Sequence, residues 1–362
     1  MKTLNLAVVG LGHRGRHMVK CAKESFDNTK ILAACDIHPV LWYETRNLKL
    51  QPAKKEGLMC RNILLSLCLL AGGILIAAEL PEPVFETTFQ TLADGKIQNN
   101  YPEPASGNMN PAGTSIIDAP FGKAMKLDGQ LNNGIVFPSS TKLLLPEEFT
   151  VAGWIYLEEF PSQESERPYR TFTFFHREDK HRIFIRDHIS TEFAADGELF
   201  RVQTPKNTLS LHAWTHIAYT YSVSQKKLQL FINGKKLAER GNSVLGQKKA
   251  PFAYPVDKPL SFGSLRNYFP MKGMLGRLRI YNQTLNAEQI NLAEQDITRD
   301  LLAALRDELK NYSEGANRSA AIDRLLEKPD EVIPLASLYG FYAERNRLQQ
   351  LDALLKSGEA AN

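Results

Sequence analysis

Cysteine is scarce in this 362-residue sequence, and none of its four cysteines lies beyond Cys68. The sequence also lacks a Cys-x-x-Cys pair, so it indicates neither a disulfide framework nor a zinc knuckle. Without cross-links, the long remainder of the chain has to be stabilised by the burial of its own apolar side chains. A chain of this length can build a core large enough for that.

Clustered charge and metal-binding histidine motifs are missing as well. Lysine and arginine are spread along the chain and the formal net charge is only +4, so the sequence shows no nucleic-acid-binding patch. The histidines form no His-Glu-x-x-His motif of the zinc-peptidase type. The hydrophobic content of 43% and charged content of 23% are those of a folded protein. The length allows two or three domains.

The chain begins with a pattern typical of dinucleotide-binding units. An apolar strand, Leu6 to Val9, leads into the turn GLGHRG at 10–15, a helical pattern follows, and a second strand, Ile31 to Cys35, ends at an acid. In such units the glycines allow a tight turn and a close approach of the backbone to a pyrophosphate, while the acid accepts the ribose hydroxyls. The candidate cofactor-binding residues are Gly10, Gly12, His13, Arg14, Gly15 and Asp36.

Residues 3–45 resemble the extreme N-terminus of the Gfo/Idh/MocA oxidoreductases. Two stretches carry the resemblance, AVVGLGHRGRHM and ILAACDIHPVLWYE. The resemblance implies NAD(P) as the cofactor and stops after Glu44, before the further strands and the catalytic Glu-Lys-Pro motif of that family. One strand–helix–strand unit cannot cover both faces of its own parallel sheet. We therefore interpret residues 1–45 as a truncated Rossmann-like βαβ fragment and residues 46–58 as a linker.

The only long apolar run lies in the segment 59–78, which begins with Met59 and Arg61. No charged residue occurs from Asn62 to Ala78, and small residues precede Glu79. A basic start, an apolar centre and a small-residue exit predict a secretory signal peptide. If the run is not cleaved, it would be a membrane anchor at residues 62–78. The expected location is secreted, periplasmic or at the cell surface.

Strand-like runs dominate the body of the chain, after a stretch at 79–125 that is predicted to be rich in loops. They include FTVAGWIYL, WTHIAYTYS, LQLFING and GRLRIYN, separated by Gly, Pro, Asn and Asp, as expected for an antiparallel β-sandwich. Asn233-Gly234 predicts a tight hairpin turn. In WTHIAYTYS, residues of both parities are bulky, which a central strand of a sandwich tolerates.

Several blocks in this region resemble laminin-G-like, concanavalin A-type jelly rolls. They are AMKLDGQLNNGIVFP, EEFTVAGWIYLEEF, LHAWTHIAYTYSVSQKKLQLFINGKKLAE and PLSFGSLRNYFPMKGMLGRLRIYNQTLNAEQI, in the family's order. The resemblance covers residues 84–290 and implies a binding domain. Related domains often hold calcium through an acid in the closing block, where this sequence has Gly276. Asp128 is the remaining calcium candidate.

From residue 285 the apolar residues recur at spacings of three and four, which predicts amphipathic helices, with Thr284 or Asn286 as the first N-cap. Residues 291–362 form this α-helical C-terminal extension. Its apolar stripes would be buried either on the sandwich or in a helical repeat array. The predicted fold class is therefore mainly β: a jelly-roll sandwich with a helical extension and an N-terminal βαβ fragment.

The sequence favours a binding function over catalysis. Its candidate acids, such as Glu158 and Glu159, are not at alternate positions of one strand, as two catalytic carboxylates would be. The leading hypothesis is an exported, non-catalytic module for a carbohydrate or protein ligand. The alternative is an NAD(P)-dependent oxidoreductase of the Gfo/Idh/MocA type, represented by its N-terminal start. Loop aromatics suited to ligand contact are Tyr169, Tyr254, Tyr268 and Phe269.

Overall fold

The computed structural model describes residues 4–9, 29–35, 79–90, 96–97, 107–110, 113–131, 133–138, 140, 148–161, 171–177, 181–195, 198–222, 224–225, 227–241, 259–264 and 269–357. The chain divides into two compact units, Met1–Ala77 and Ala78–Asn362. Within the described residues, the first unit holds one pair of strands, and the second holds two large sheets and four helices.

In the first unit, β1 (Leu4–Val9) and β2 (Thr29–Cys35) pair in parallel. This confirms the two strands that flank the glycine turn in the sequence. The six candidate cofactor-binding residues all lie outside the described residues, so a nucleotide site there stays a prediction: Gly10, Gly12, His13, Arg14, Gly15 and Asp36.

The linker at 46–58 and the apolar segment at 59–78 also fall outside the described residues. Among the helices that the structure does describe, none has the length and apolar character needed to cross a membrane. Cleavage and anchoring of the apolar segment both stay predictions.

The second unit is built mainly from strands connected by turns. In chain order they are β3 (Phe85–Thr87), β4 (Asn108–Met109), β5 (Thr114–Ala119), β6 (Gly122–Asp128), β7 (Ile135–Phe137), β8 (Glu148–Leu157), β9 (Phe172–Arg177), β10 (His181–Ile185), β11 (Ile189–Ala195), β12 (Glu198–Gln203), β13 (Trp214–Ser222), β14 (Lys227–Ile232), β15 (Lys235–Gly241), β16 (Leu260–Phe262) and β17 (Lys272–Tyr281).

The stretch 79–125, predicted to be rich in loops, contains the strands β3, β4 and β5, which the sequence pattern did not indicate. β3 and β4 are only three and two residues long, too short to show an alternating pattern. β5 lies at a sheet edge and is mostly half-buried or exposed. β3 pairs with β17, β4 with β7 and β5 with β6, so strand pairing rather than local apolar periodicity decides their conformation.

The strands form two sheets. Among the described residues, one sheet has the order β12-β11-β10-β9-β16-β7-β4. The other has the order β15-β14-β13-β8-β17-β6-β5, with β3 added beside β17. The pairs that form both sheets are antiparallel, as in a jelly roll.

A continuous apolar core lies between the two sheets. From β8 and β13 it takes the residues of one parity, which are buried: Phe149, Val151, Ile155, Leu157, Ile217, Tyr219 and Tyr221. From the opposite sheet it takes residues such as Phe174, Ile183 and Phe262. This interlocking of two apolar faces defines a β-sandwich.

The predicted hairpin at Asn233-Gly234 is confirmed. Both residues have positive φ, 51° and 73°, and they connect the antiparallel strands β14 and β15, where Ile232 pairs with Lys235. This geometry matches the twist of the flanking strands, and Asn and Gly adopt it at low cost.

Four helices follow the last strand. They are α1 (Ala287–Ala293), α2 (Gln295–Leu309), α3 (Ala316–Leu326) and α4 (Leu335–Ser357). Asn286, one of the two predicted caps, closes a capping box with Gln289 at the start of α1. The other, Thr284, instead donates its hydroxyl hydrogen bond to the carbonyl of Tyr221.

The helices pack on the outer face of the sheet that contains β8 and β13. The parity that does not enter the sandwich core supplies Trp154 and Trp214, which cluster with apolar side chains of α2, α3 and α4, among them Leu301 and Leu305. Of the two arrangements left open by the sequence, packing on the sandwich is thus the observed one. It explains why both faces of β13 are bulky.

A buried histidine in the sandwich core makes stability depend on pH. His181 lies with its ring 5.1 Å from the rings of Phe149, Phe175 and Tyr219. Burial, assisted by the charges of Arg177 and His176, lowers its pKa to about 3. The folded protein therefore keeps this imidazole neutral under conditions where the unfolded chain takes up a proton.

We expect this difference to destabilise the protein as the pH falls from about 6.5 toward about 3, by up to ~1.4 kcal/mol per pH unit. The free energy of unfolding is measured with urea at pH 6.5 and at pH 5.0. Between these two pH values, His181→Phe should lose about 1.5 kcal/mol less of this free energy than the wild type does. Most carboxylates stay ionised in that window, so they contribute little. Equal losses in the two proteins would contradict the assignment.

Candidate functional site

A break in one sheet creates an open groove beside β17. Two short strands flank the same edge of β17 end to end: β6 pairs with Lys272 to Gly276, and β3 pairs with Leu278 to Ile280. Arg277 falls between them. The chain leaves this sheet after β3 and re-enters it at β5, and neither β3 nor β6 pairs with Arg277.

The strand β17 is itself irregular at the break. Its register against β8 shifts between Gly276 and Arg279, and Arg277 has a φ of 20°. Such bulges change the direction in which a side chain projects from a sheet. Here the shift lets Leu275 and Leu278 both enter the sandwich core, with Gly276 and Arg277 between them.

Gly276 lies under two aromatic rings. A Cβ atom at this position would be 2.6 Å from Cζ of Phe121 and 3.2 Å from Cζ3 of Trp214. The two rings are in edge-to-face contact, with centroids 4.8 Å apart. The acid that related domains carry at this position would therefore have no room, which gives the physical reason for the departure from the family pattern.

Replacing Gly276 with alanine should destabilise the protein by about 1–3 kcal/mol, because the new methyl group overpacks the Phe121 ring. Gly340→Ala provides a control of opposite sign. Gly340 lies in α4, where an added Cβ would meet no other part of the protein within 4 Å, so alanine there should stabilise by about 0.5–1 kcal/mol. Denaturant unfolding of both variants tests the pair. Equal signs would contradict the steric argument.

The groove has a volume of about 650 Å³, within the range of small-molecule sites. Its lining comes from the chain after β3, from the hairpin between β5 and β6, from β17 and from α2: Thr88, Gln90, Asp118, Phe121, Gly122, Lys123, Arg277 and Ile297. The sandwich and the helical extension therefore build it together.

Ion pairs fix the charged side chains around the groove. Nζ of Lys123 lies 2.6 Å from Oδ1 of Asp118, across the β5–β6 hairpin. Nε of Arg277 lies 3.2 Å from Oε1 of Glu86 in β3. Both cations thus have a carboxylate partner, and Oε1 of Glu86 is shared between Arg277 and Arg279.

A buried polar cluster lies on the same outer sheet face, beneath the helices. Glu294, between α1 and α2, is fully buried and accepts a 2.7 Å hydrogen bond from Nε1 of Trp154. Its other carboxylate oxygen lies 3.3 Å from Nη1 of Arg279. Arg279 also donates from Nε to Glu86 at 2.6 Å. The cluster connects the helices, β8, β17 and β3.

The protonation states in this cluster follow from burial and pairing. Burial raises the pKa of Glu294, opposed by Arg279 and by the Trp154 N–H. Burial would lower the pKa of Arg279, yet the carboxylates of Glu294 and Glu86 contribute to raising it. Burial and the Arg279 charge lower the pKa of His216 to about 3. His216, 3.8 Å from Glu294, is therefore neutral near pH 7 and forms no ion pair.

Of the residues singled out from the sequence, the structure describes Asp128 and Phe269. Asp128 is exposed at the end of β6, and its Oδ1 accepts the N–H of Gln130 at 2.9 Å. No group of three or more metal-binding side chains occurs in the described residues. Phe269 packs against Phe184, with ring centroids 5.4 Å apart. Three further candidates lie outside the described residues: Tyr169, Tyr254 and Tyr268.

Sequence reasoning missed the groove residues. Phe121 could have pointed to the groove from the sequence. An aromatic residue between Pro120 and Gly122, in a tight turn, is unusual unless it packs against another part of the protein or binds a ligand. No local pattern places Phe121 next to Gly276 and Arg277, since long stretches of chain separate them.

Together these features define a jelly-roll β-sandwich with one helix-covered face and an open groove at the border of that face. Residues 128–291 match a laminin-G-type family model described as the concanavalin A-like lectin/glucanases superfamily. The match lies within residues 84–290 and agrees with the laminin-G-like, concanavalin A-type resemblance predicted for them. The resemblance of residues 3–45 to the Gfo/Idh/MocA oxidoreductases stays a prediction.

Solved structures with similarity to this chain include two binding domains and one domain of an enzyme. The binding domain of Paraclostridial Mosquitocidal Protein 1 is 16% identical with a TM-score of 0.48, covering 60% of this chain and 52% of that one. The botulinum neurotoxin serotype D ligand binding domain, solved with N-acetylneuraminic acid, is 14% identical with a TM-score of 0.46, covering 60% and 51%. The chain thus spans about half the length of these two.

The third is domain 4 of AbnA, an extracellular arabinanase from Geobacillus stearothermophilus solved with arabinotriose. It is 18% identical with a TM-score of 0.41, covering 59% of this chain and 98% of that one. At these values the similarities say nothing about the ligand of this chain. No curated protein matches it.

Proposed function

We propose that this protein is an exported, non-catalytic binding module whose concanavalin A-like domain recognises a carbohydrate or a protein ligand. The observation that carries the proposal is the groove beside Arg277, which combines hydrogen-bonding side chains with an aromatic ring in a space of small-molecule size. Binding sites of this kind use few polar groups for orientation and apolar surface for contact. The match to a lectin-containing superfamily supports the same reading.

The binding function is tested by applying the full chain, and a chain that begins at Glu79, to a glycan array and to a panel of immobilised extracellular proteins. We expect a specific signal that both forms share. A signal that requires residues 1–78 would place binding outside the sandwich. Absence of any specific glycan or protein signal would contradict the proposal.

The competing oxidoreductase function has its own test in the same preparation. NAD(P)H fluorescence titration of the full chain should show no saturable binding if the module is non-catalytic. Tight, saturable NAD(P)H binding that is lost in Gly12→Ala and Asp36→Ala would favour the alternative, because those residues occupy the predicted pyrophosphate and ribose positions.

Export is tested separately by N-terminal sequencing of the protein recovered from its producing cells. A mature N-terminus near Glu79 is the expected result, because the predicted cleavage site follows Ala78. Recovery of protein that retains residues 59–78 in a membrane fraction would instead indicate the anchor.

A further inference from the structure

We infer that the groove beside Arg277 binds an uncharged carbohydrate, and that the helical extension contributes to this site. The inference rests on the proposed function and adds to it the location and the ligand class. Three features of the groove support it: its polar side chains, its balance of charge and its apolar surface.

The polar lining offers donors and acceptors side by side. Thr88 and Gln90 each provide both kinds of group, and they lie in the segment that follows β3. Asp118 and Lys123 add an acceptor and a donor from the β5–β6 hairpin. A sugar hydroxyl both donates and accepts, so a mixed set of this kind suits a polyhydroxylated ligand better than one that can only accept.

The charge balance favours an uncharged ligand. The two cations that line the groove are each paired, Lys123 with Asp118 at 2.6 Å and Arg277 with Glu86 at 3.2 Å. An anionic ligand would have to compete with those carboxylates and would meet Asp118, whose side chain is 89% exposed. Hydroxyl groups can hydrogen-bond to these paired side chains without that competition.

Phe121 and Ile297 supply the apolar surface. The ring of Phe121 is half-buried and is held in place by its edge-to-face contact with Trp214 and by the absence of a side chain on Gly276. Ile297 of α2 is buried beneath the groove. A ring positioned in this way presents a fixed apolar surface to the C–H groups of a sugar, and its position depends on the helix-covered face.

The experiment uses the full chain and an array of neutral cello-, xylo-, malto- and arabino-oligosaccharides, with acidic oligosaccharides as a second set. Calorimetric titration then gives Kd for the best neutral oligosaccharide. The test variant is Gln90→Ala combined with Lys123→Ala, both outside the core. The matched control is Gln350→Ala with Lys310→Ala on α4 and at the end of α2, where Lys310 also pairs with an exposed aspartate.

We expect at least a tenfold rise in Kd for the groove variant, a control variant within twofold of the wild type, and equal unfolding midpoints for all three. If the groove variant keeps the wild-type Kd, the site lies elsewhere, the inference is overturned, and the proposed binding function stands. If the wild type binds only acidic oligosaccharides, or only a protein, the ligand class is overturned. If it binds neither glycan nor protein, the proposed function fails too.

Discussion

Replacing Glu294 with alanine should lower the free energy of unfolding by about 3–5 kcal/mol, measured by urea denaturation of the full chain at pH 7. The carboxylate is fully buried, and its two oxygens contact Trp154 and Arg279. Without it, the buried Arg279 retains only Glu86 as a close carboxylate, and the indole N–H loses its acceptor. Leaving one partner of a buried ion pair uncompensated is far more costly than losing a surface pair.

Two further variants separate this explanation from a general sensitivity to substitution. Glu294→Gln keeps an acceptor for Trp154 but removes the charge. Its free energy of unfolding should therefore lie between those of the wild type and the alanine variant. Asp307→Ala removes an exposed carboxylate from pairs with Arg306 and Lys310 and should cost less than about 1 kcal/mol. A Glu294→Ala loss as small as that of Asp307→Ala would show that the cluster contributes little.

Ending the chain at Ala293 should abolish soluble, cooperative folding. This truncation keeps the sandwich and α1 but removes Glu294 and α2 to α4. It uncovers Trp154 and Trp214 on the outer face of the sheet, which the helices bury. Burial of each large apolar side chain contributes about 1.5–3 kcal/mol, and α2 alone buries five of them: Ile297, Leu301, Leu302, Leu305 and Leu309. The sum is comparable with the net stability of an ordinary domain.

The control for the truncation is a chain ending at Ser357, which keeps all four helices and should unfold at the wild-type midpoint. A single-site version, Leu302→Ala, should cost about 2–5 kcal/mol by leaving a cavity at the interface. Gel filtration and thermal unfolding monitored by circular dichroism distinguish the forms. A soluble, monomeric chain ending at Ala293 with an unchanged midpoint of thermal unfolding would mean that the sandwich folds without α2 to α4, which would contradict this prediction.

Much of the sandwich was predictable from local sequence. The long central strands β8, β13 and β17 carry strong apolar patterns, and Asn233-Gly234 specifies its own turn through the backbone preferences of those two residues. The helices were equally clear, because apolar spacing and the Asn286 capping box are local signals. The laminin-G-like resemblance depended on the order of these same blocks.

The groove was not predictable in the same way. It exists because β3 and β6 lie end to end along one edge of β17 and neither of them pairs with Arg277. β3 is too short to be recognised, and β5 is an edge strand with a weak pattern. The glycine at position 276 could be noted as a departure, but its reason, the rings of Phe121 and Trp214, required the packing.

The sequence by itself determined the class of fold, the turn at Asn233-Gly234 and the helical nature of the C-terminal extension, because these depend on periodicity and on preferences of neighbouring residues. The tertiary structure alone decided that the helices cover the sandwich, that Glu294 meets Arg279 under them, and that a groove opens beside Arg277. Those features depend on contacts between residues far apart in the chain, and such contacts leave no local signature in one sequence.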